Sequence, residues 1–178
     1  MIEFDNLRIR DLLAKLDARL TEEDITATIF VVGGAAMALK YNNRRTTADI
    51  DGVIDLQTRS IVLDAAHQVA DEESVPKTWL SDGVREVMPA HKDDHPRRER
   101  IGDALTIEIA SPEYLLAMKA MTSRQSEGDL ADAALLCKEL GITKESGIDA
   151  VVARYFGPGP VGAQELFFER IIDRASTL

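Results

Sequence analysis

The chain has one cysteine, Cys137, in 178 residues, so no disulfide can form within it. That cysteine falls in an apolar helical pattern, ALLCKEL, and is expected to be a small core residue. No stretch reaches the ~18 apolar residues of a membrane span, so no partnership with a membrane is expected. The first residues, MIEFDNLRIRDLL, are charged throughout and lack the apolar centre of a signal peptide; a reducing cytoplasm is the default expectation. Aromatic residues are scarce, at 5%, with one tryptophan and three tyrosines. They supply no stacking platform for single-stranded nucleic acid, and Trp79 is expected to pack in the core. Basic residues are outnumbered, 21 against 31 acids, for a formal charge of −10. That works against broad, nonspecific nucleic-acid binding, which depends on neutralising phosphates, but leaves room for a local basic groove. Repeats and low-complexity tracts are absent.

Apolar residues make up 45% of the chain, enough for a packed core. The length suits one domain, or one domain with a small helical lobe. Residues 3–20 place Phe4, Leu7, Leu12, Leu13, Leu16 and Leu20 at helical spacing. Residues 27–32 (ATIFVV) form a short apolar run that predicts a buried strand. Gly33 and Gly34 break it, and AAMALKY suits about two helical turns. NNRRTTA is a basic turn, and residues 49–54 (DIDGVI) predict a second strand. Residues 60–73 predict a helix. Residues 76–90 are ambiguous, with VREVM as a candidate strand, and residues 91–103 predict a polar loop or hairpin. Leu105, Ile107 and Ile109 alternate with Thr106 and Glu108, a strand with one apolar face. Ser111-Pro112-Glu113 opens a helix, and DLADAALLCKELG is another that stops at Gly141. Helices are expected over 145–156 and 161–175, separated by GPGP at 157–160.

The chemistry concentrates in residues 31–55. In a strand, side chains i and i+2 share a face, which aims Asp49 and Asp51 the same way. Two ionised carboxylates that close repel one another, and a divalent cation resolves the conflict. Mg²⁺, or Mn²⁺, favours carboxylate oxygen and keeps sites open for phosphate. Glu108, the acid in the other well-patterned strand, is the candidate third ligand or general base. A strand followed by Gly33-Gly34 and a helix presents bare amides suited to phosphate oxygens. Arg44 and Arg45 lie just before the aspartates, ready to neutralise a triphosphate tail. Together these residues predict a nucleoside triphosphate with its metal.

Strand, Gly-Gly, helix and Asp-x-Asp on the next strand resemble the nucleotidyltransferase superfamily, which includes polymerase beta. GGAAMAL followed by RRTTADID looks closest to the AbiEii-type nucleotidyltransferases, the toxin halves of bacterial toxin–antitoxin pairs, and to uncharacterised relatives. SPEYLLAMKAM and SEGDLADAALL extend the resemblance, which covers roughly residues 27–140. It implies an α/β (α+β) fold: a small mixed sheet flanked by helices, with a nucleotidyltransferase core over 1–110 and a helical lobe over 111–178 packed on it. It implies Asp49 and Asp51 as metal ligands and Gly33 and Gly34 at the phosphates. Lys119 would contact the nucleotide phosphates, and Asp129 or Asp132 would be an acid near the site. Thr47, two residues before Asp49, matches a hydroxyl position that can itself become modified in some toxins, and is a candidate nucleotide-binding residue. Gly128 stands where the family pattern carries a basic residue.

The expected activity is metal-dependent transfer of a nucleotide from a triphosphate to an acceptor hydroxyl, on a tRNA end or a protein, with an antitoxin as a further partner. A binding module of the same fold acting with a protein partner is the rival from another class. Leu166, Phe167, Phe168, Ile171 and Ile172 would serve it, or would cover the core. An antibiotic-modifying nucleotidyltransferase is a third reading. The HKDDH stretch (His91, Asp93, Asp94, His95) offers transition-metal ligands or a solvated loop. Arg97, Arg98 and Arg100 offer an acceptor contact or a solvated loop.

Overall fold

The computed structural model describes residues 2–158 and 163–178. The chain forms two compact units, Met1–Val87 with Pro96–Ala110 and Met88–His95 with Ser111–Leu178. The first unit carries a five-stranded mixed sheet, and among the described residues the second is helical. This is the mixed α/β class that the sequence predicts.

In the first unit, helix α1 (Asn6–Glu22) buries Ile9, Leu12, Leu13, Leu16 and Leu20. Asp5 caps it by accepting from the Arg8 amide at 2.8 Å. Strand β1 (Ala27–Val31) runs into Gly33, and α2 (Gly33–Ala36) continues as a π-helical turn over Met37–Tyr41. Strand β2 (Ile50–Ile54), helix α3 (Arg59–Glu73) and strand β3 (Leu80–Ser81) follow. Strands β4 (Arg97–Arg100) and β5 (Leu105–Ile109) complete the sheet, in the order β3-β2-β1-β5-β4. β1 is antiparallel to β2 and parallel to β5.

β1, β2 and β5 all alternate between buried and half-buried residues. Ile29, Val31, Ile50, Ile54, Leu105 and Ile107 lie on the closed face, fully buried, and α1 packs against both β5 and α3. Each fully buried aliphatic side chain on this face and on α1 contributes ~1.5–3 kcal/mol to the unit's stability. Trp79 is fully buried and its indole N–H donates to the Ala66 carbonyl at 2.8 Å. Gly52 holds two strands close: a Cβ there would stand 2.5 Å from Ile29 Cγ2. Gly52→Ala is therefore expected to lower stability by about 1–3 kcal/mol, the usual cost of overpacking, measurable as a lower urea midpoint.

The second unit contains α4 (Pro112–Ala120), α5 (Glu127–Leu140), α6 (Glu145–Phe156) and α7 (Ala163–Ser176). Ser111 caps α4 and Gly141, at φ 67°, ends α5. Cys137 is buried, and burial pushes its thiol up to about 12. Phe167, Phe168 and Ile171 are buried while Leu166 stays exposed. Residues 159–160 of the GPGP break, and residues 161–162 at the start of the last expected helix, lie outside the described residues.

Three elements depart from the sequence expectation. The candidate strand VREVM is instead a 3₁₀ turn over Gly83–Val87: Arg85 donates its amide to the Asp82 carbonyl and its guanidinium to the carbonyl of Ile54. Phe4 leaves the helix and pairs with Thr47 in an isolated bridge, while Leu7, on α1, faces solvent. Asp49 sits in a bend just before β2, where the Thr47 hydroxyl donates to the Asp49 carbonyl at 3.0 Å. Strand alternation therefore governs Asp51 alone.

Candidate active site

The register of β1 places its end, and the turn that follows, beside the start of β2. Val31 faces Gly52, and the Val32 amide donates to the Asp51 carbonyl at 3.0 Å. The next residue, Gly33, has φ +64°, a conformation that costs L residues but not glycine. A Cβ on Gly33 would stand 3.2 Å from Asp51 Oδ2, so the Asp51 carboxylate lies directly against this glycine. A Cβ on Gly34 would stand 2.7 Å from Thr47 Oγ1 and 3.8 Å from a terminal nitrogen of Arg45. Gly33, Gly34, Arg45, Thr47 and Asp51 thus form one cluster, with Asp49 two residues from Asp51. Arg44 is exposed on the turn beside them.

Glu108 lies farther along the sheet. It pairs across with Phe30 on one side and Arg98 on the other, and its carboxylate is 3.9 Å from the Arg98 guanidinium. Asp51 is two strands away on the same open face, two positions along β2 from Val53, which pairs with Phe30. Among the described residues, no three His, Cys, Asp or Glu side chains gather closely enough to hold a metal ion. The structure therefore does not bring Glu108 into a three-acid cluster with Asp49 and Asp51. Hard carboxylate oxygens from Asp49 and Asp51 still suit Mg²⁺, which commonly takes one or two carboxylates and completes its shell with water and substrate phosphate. The pleat puts Arg98 and Arg100 on the open face and turns Arg97 away. A cavity of ≈ 740 Å³ opens on this face, with Thr28, Thr106, Asp55, Thr58, Arg98 and Arg100 among its lining residues.

Lys119 and Asp129 belong to the second unit. The Lys119 ammonium is 2.8 Å from Asp129 and 3.0 Å from Asp132, and all three residues are buried. Arg124 also bonds Asp129 at 3.1 Å. Ser126 and Asp129 form a capping box at the start of α5. Burial pushes the Asp129 carboxyl up, but hydrogen bonds from Arg124, Lys119 and Ser126 outweigh it and hold it well below the usual range. Its folded pKa thus lies below the unfolded one, near ~3.9. The stability it contributes is full above about pH 4, shrinks as pH falls further, and vanishes below the folded pKa. Asp129→Asn should therefore show a smaller loss of urea midpoint between pH 7 and pH 3 than the wild type.

The HKDDH stretch is occupied by contacts within the second unit. Asp93 accepts from the amides of His95 and Ser111 at 3.1 and 2.6 Å, and Asp94 pairs with Arg154. Sequence reasoning missed Asn6, whose side chain donates to the carbonyls of Ala38 and Leu39 at 2.8 and 3.2 Å. An asparagine at a helix start reads as a cap, and no local pattern reveals a partner 32 residues away. It also missed Asp82, buried and gripped at both oxygens by the Arg59 guanidinium.

A family model described as a nucleotidyltransferase of unknown function matches residues 7–154, from α1 through most of α6. The match supports the superfamily and does not single out AbiEii-type toxins. No curated protein and no solved structure matches the chain. A model covering that much of the chain settles its family: it belongs to the nucleotidyltransferases of unknown function designated DUF6036.

Proposed function

We propose that the chain transfers a nucleotide from a nucleoside triphosphate to an acceptor hydroxyl. The observation that carries this reading is the Asp51 carboxylate lying against the positive-φ glycine that opens α2. An acid for a metal and a bare glycine turn for phosphate are in one place, with Arg45 beside them.

In this reading the amides of Gly33 and Gly34 and the Arg45 guanidinium hold the phosphate oxygens. The Thr47 hydroxyl, already donating to the Asp49 carbonyl, lines the phosphate seat. Asp49 and Asp51 would hold Mg²⁺ or Mn²⁺, which lowers the charge on the phosphates and the departing pyrophosphate. The acceptor oxygen attacks the α-phosphorus, the bond from that phosphorus to the bridging oxygen breaks, and pyrophosphate leaves. Glu108, on the open face, takes the acceptor's proton. Lys119 has its charge met by two carboxylates, so with Asp129 it serves to tie α4 to α5 rather than to grip phosphate. A tRNA end or a protein side chain as acceptor, and toxicity countered by an antitoxin partner, extend the same reading.

Melting with Mg²⁺ and each of the four ribonucleoside triphosphates tests it. At a ligand concentration 100 times Kd, binding adds ~2.7 kcal/mol, a shift of several degrees for a chain of this size. A melt unmoved by all four nucleotides would refute the reading and favour a binding module.

A further inference from the structure

We propose that residues Glu3–Asn6 brace the nucleotide site, with Asn6 as a positioning residue. The proposal rests on the nucleotidyl-transfer reading above. The helix leaving Gly33-Gly34 ends in a π-helical turn, where the Asn42 amide reaches back to the Met37 carbonyl at 2.8 Å. A helix end leaves its last carbonyls without donors from the following turn. Asn6 Nδ2 serves two of them, Ala38 and Leu39. Asn6 Oδ1 accepts from Arg10 Nε at 2.9 Å, so both ends of the amide are fixed and its orientation is defined.

Two residues earlier, Phe4 is fully buried. Its amide donates to the Thr47 carbonyl at 2.7 Å, and its carbonyl accepts from the Thr47 amide at 3.0 Å. The Glu3 carboxylate accepts from the Thr46 hydroxyl. Thr47 in turn holds the Asp49 carbonyl and packs against Gly34. Three residues of this four-residue segment, Glu3, Phe4 and Asn6, therefore grip both halves of the site. One end holds the helix that carries the glycines, and the other holds the turn that delivers Asp49 and Asp51. The β1–β2 register sets their spacing, and this brace holds it fixed, in the way that catalytic groups on rigid elements are held by the residues behind them. π-Turns of this kind often occur at functional sites.

The test uses the full chain as wild type, Asn6→Ala and Asn6→Ser, with Val62→Ala in α3 as a destabilised control. Amide exchange without ligand is measured over residues 33–41 and 47–51, and nucleotide affinity with Mg²⁺ is measured by calorimetry. In Asn6→Ala, exchange in those two segments should accelerate and Kd should rise tenfold or more. Asn6→Ser, with one donor left, should fall between, and it carries the test if the alanine variant does not fold. Val62→Ala should bind with wild-type affinity. Unchanged exchange in the two segments, or wild-type affinity in both Asn6 variants, overturns the brace. If the wild type itself binds no nucleotide, the transfer reading fails, and the exchange data alone then decide for or against the brace.

Discussion

Asp51→Asn should reduce nucleotide transfer by ~10³-fold or more and remove the melting shift given by Mg²⁺ and nucleotide. The loss should exceed that of a single transition-state hydrogen-bond donor, which costs ~10²–10³ in rate, because a metal ligand acts on every phosphate the cation touches. Asparagine keeps the size of the side chain beside Gly33, where a Cβ would stand 3.2 Å from Asp51 Oδ2. What it removes is the charge and one hard oxygen. Asp49→Asn should act in the same direction. Glu108→Gln separates the roles: a base that only takes the acceptor's proton can be lost with nucleotide affinity intact, while transfer falls by ~10²–10⁴. Calorimetry and transfer rates on the three variants, beside their ligand-free melts, distinguish loss of metal, loss of base and loss of fold.

Lys119→Met should destabilise the second unit by about 3–5 kcal/mol, the usual cost of removing one partner from a buried ion cluster. The ammonium stands between Asp129 and Asp132, and both acids are buried. Methionine keeps most of the length and leaves two carboxylates without that cation. Adding Asp132→Asn should recover part of the loss, because residues in one network couple by ~0.5–3 kcal/mol. Urea unfolding of the two single variants and the double variant measures the coupling. A Lys119→Met protein as stable as the wild type would show that the cluster does not hold α4 to α5. Arg124 and Ser126 would then suffice for Asp129.

Much of the fold can be read in the sequence because alternation and helical spacing are local signals. Leu105, Ile107 and Ile109 against Thr106 and Glu108 announce β5, and Ser111-Pro112-Glu113 announces α4. β4 was legible only as a possible hairpin arm, since its sequence, RRER, has no apolar face to alternate. Phe4 fits helical spacing as well as Leu12 does, yet it is drawn off by Thr47, a partner 43 residues away that no periodicity reveals. Asp49 reads as strand because of the Ile50–Ile54 run beside it. The bend that removes it depends on Thr47, whose backbone is held by Phe4. Gly33 and Asp51 announced themselves by residue type, but their closeness depends on β1 and β2 pairing antiparallel in one register. Lys119 lies on a helix with partners ten and thirteen residues away. The sequence offers the residue types, and only the packing of α4 on α5 makes them an ion cluster.

The most direct measurement follows two phosphorus labels. The chain, with Mg²⁺ and total RNA or its own proteins as acceptor, is given nucleoside triphosphate labelled at either the α- or the γ-phosphorus. The account predicts that the α-label becomes covalently attached to an acceptor, that the γ-label is released in pyrophosphate, and that Asp51→Asn does neither. Transfer of the γ-label, or α-label transfer that survives in Asp51→Asn, would contradict it.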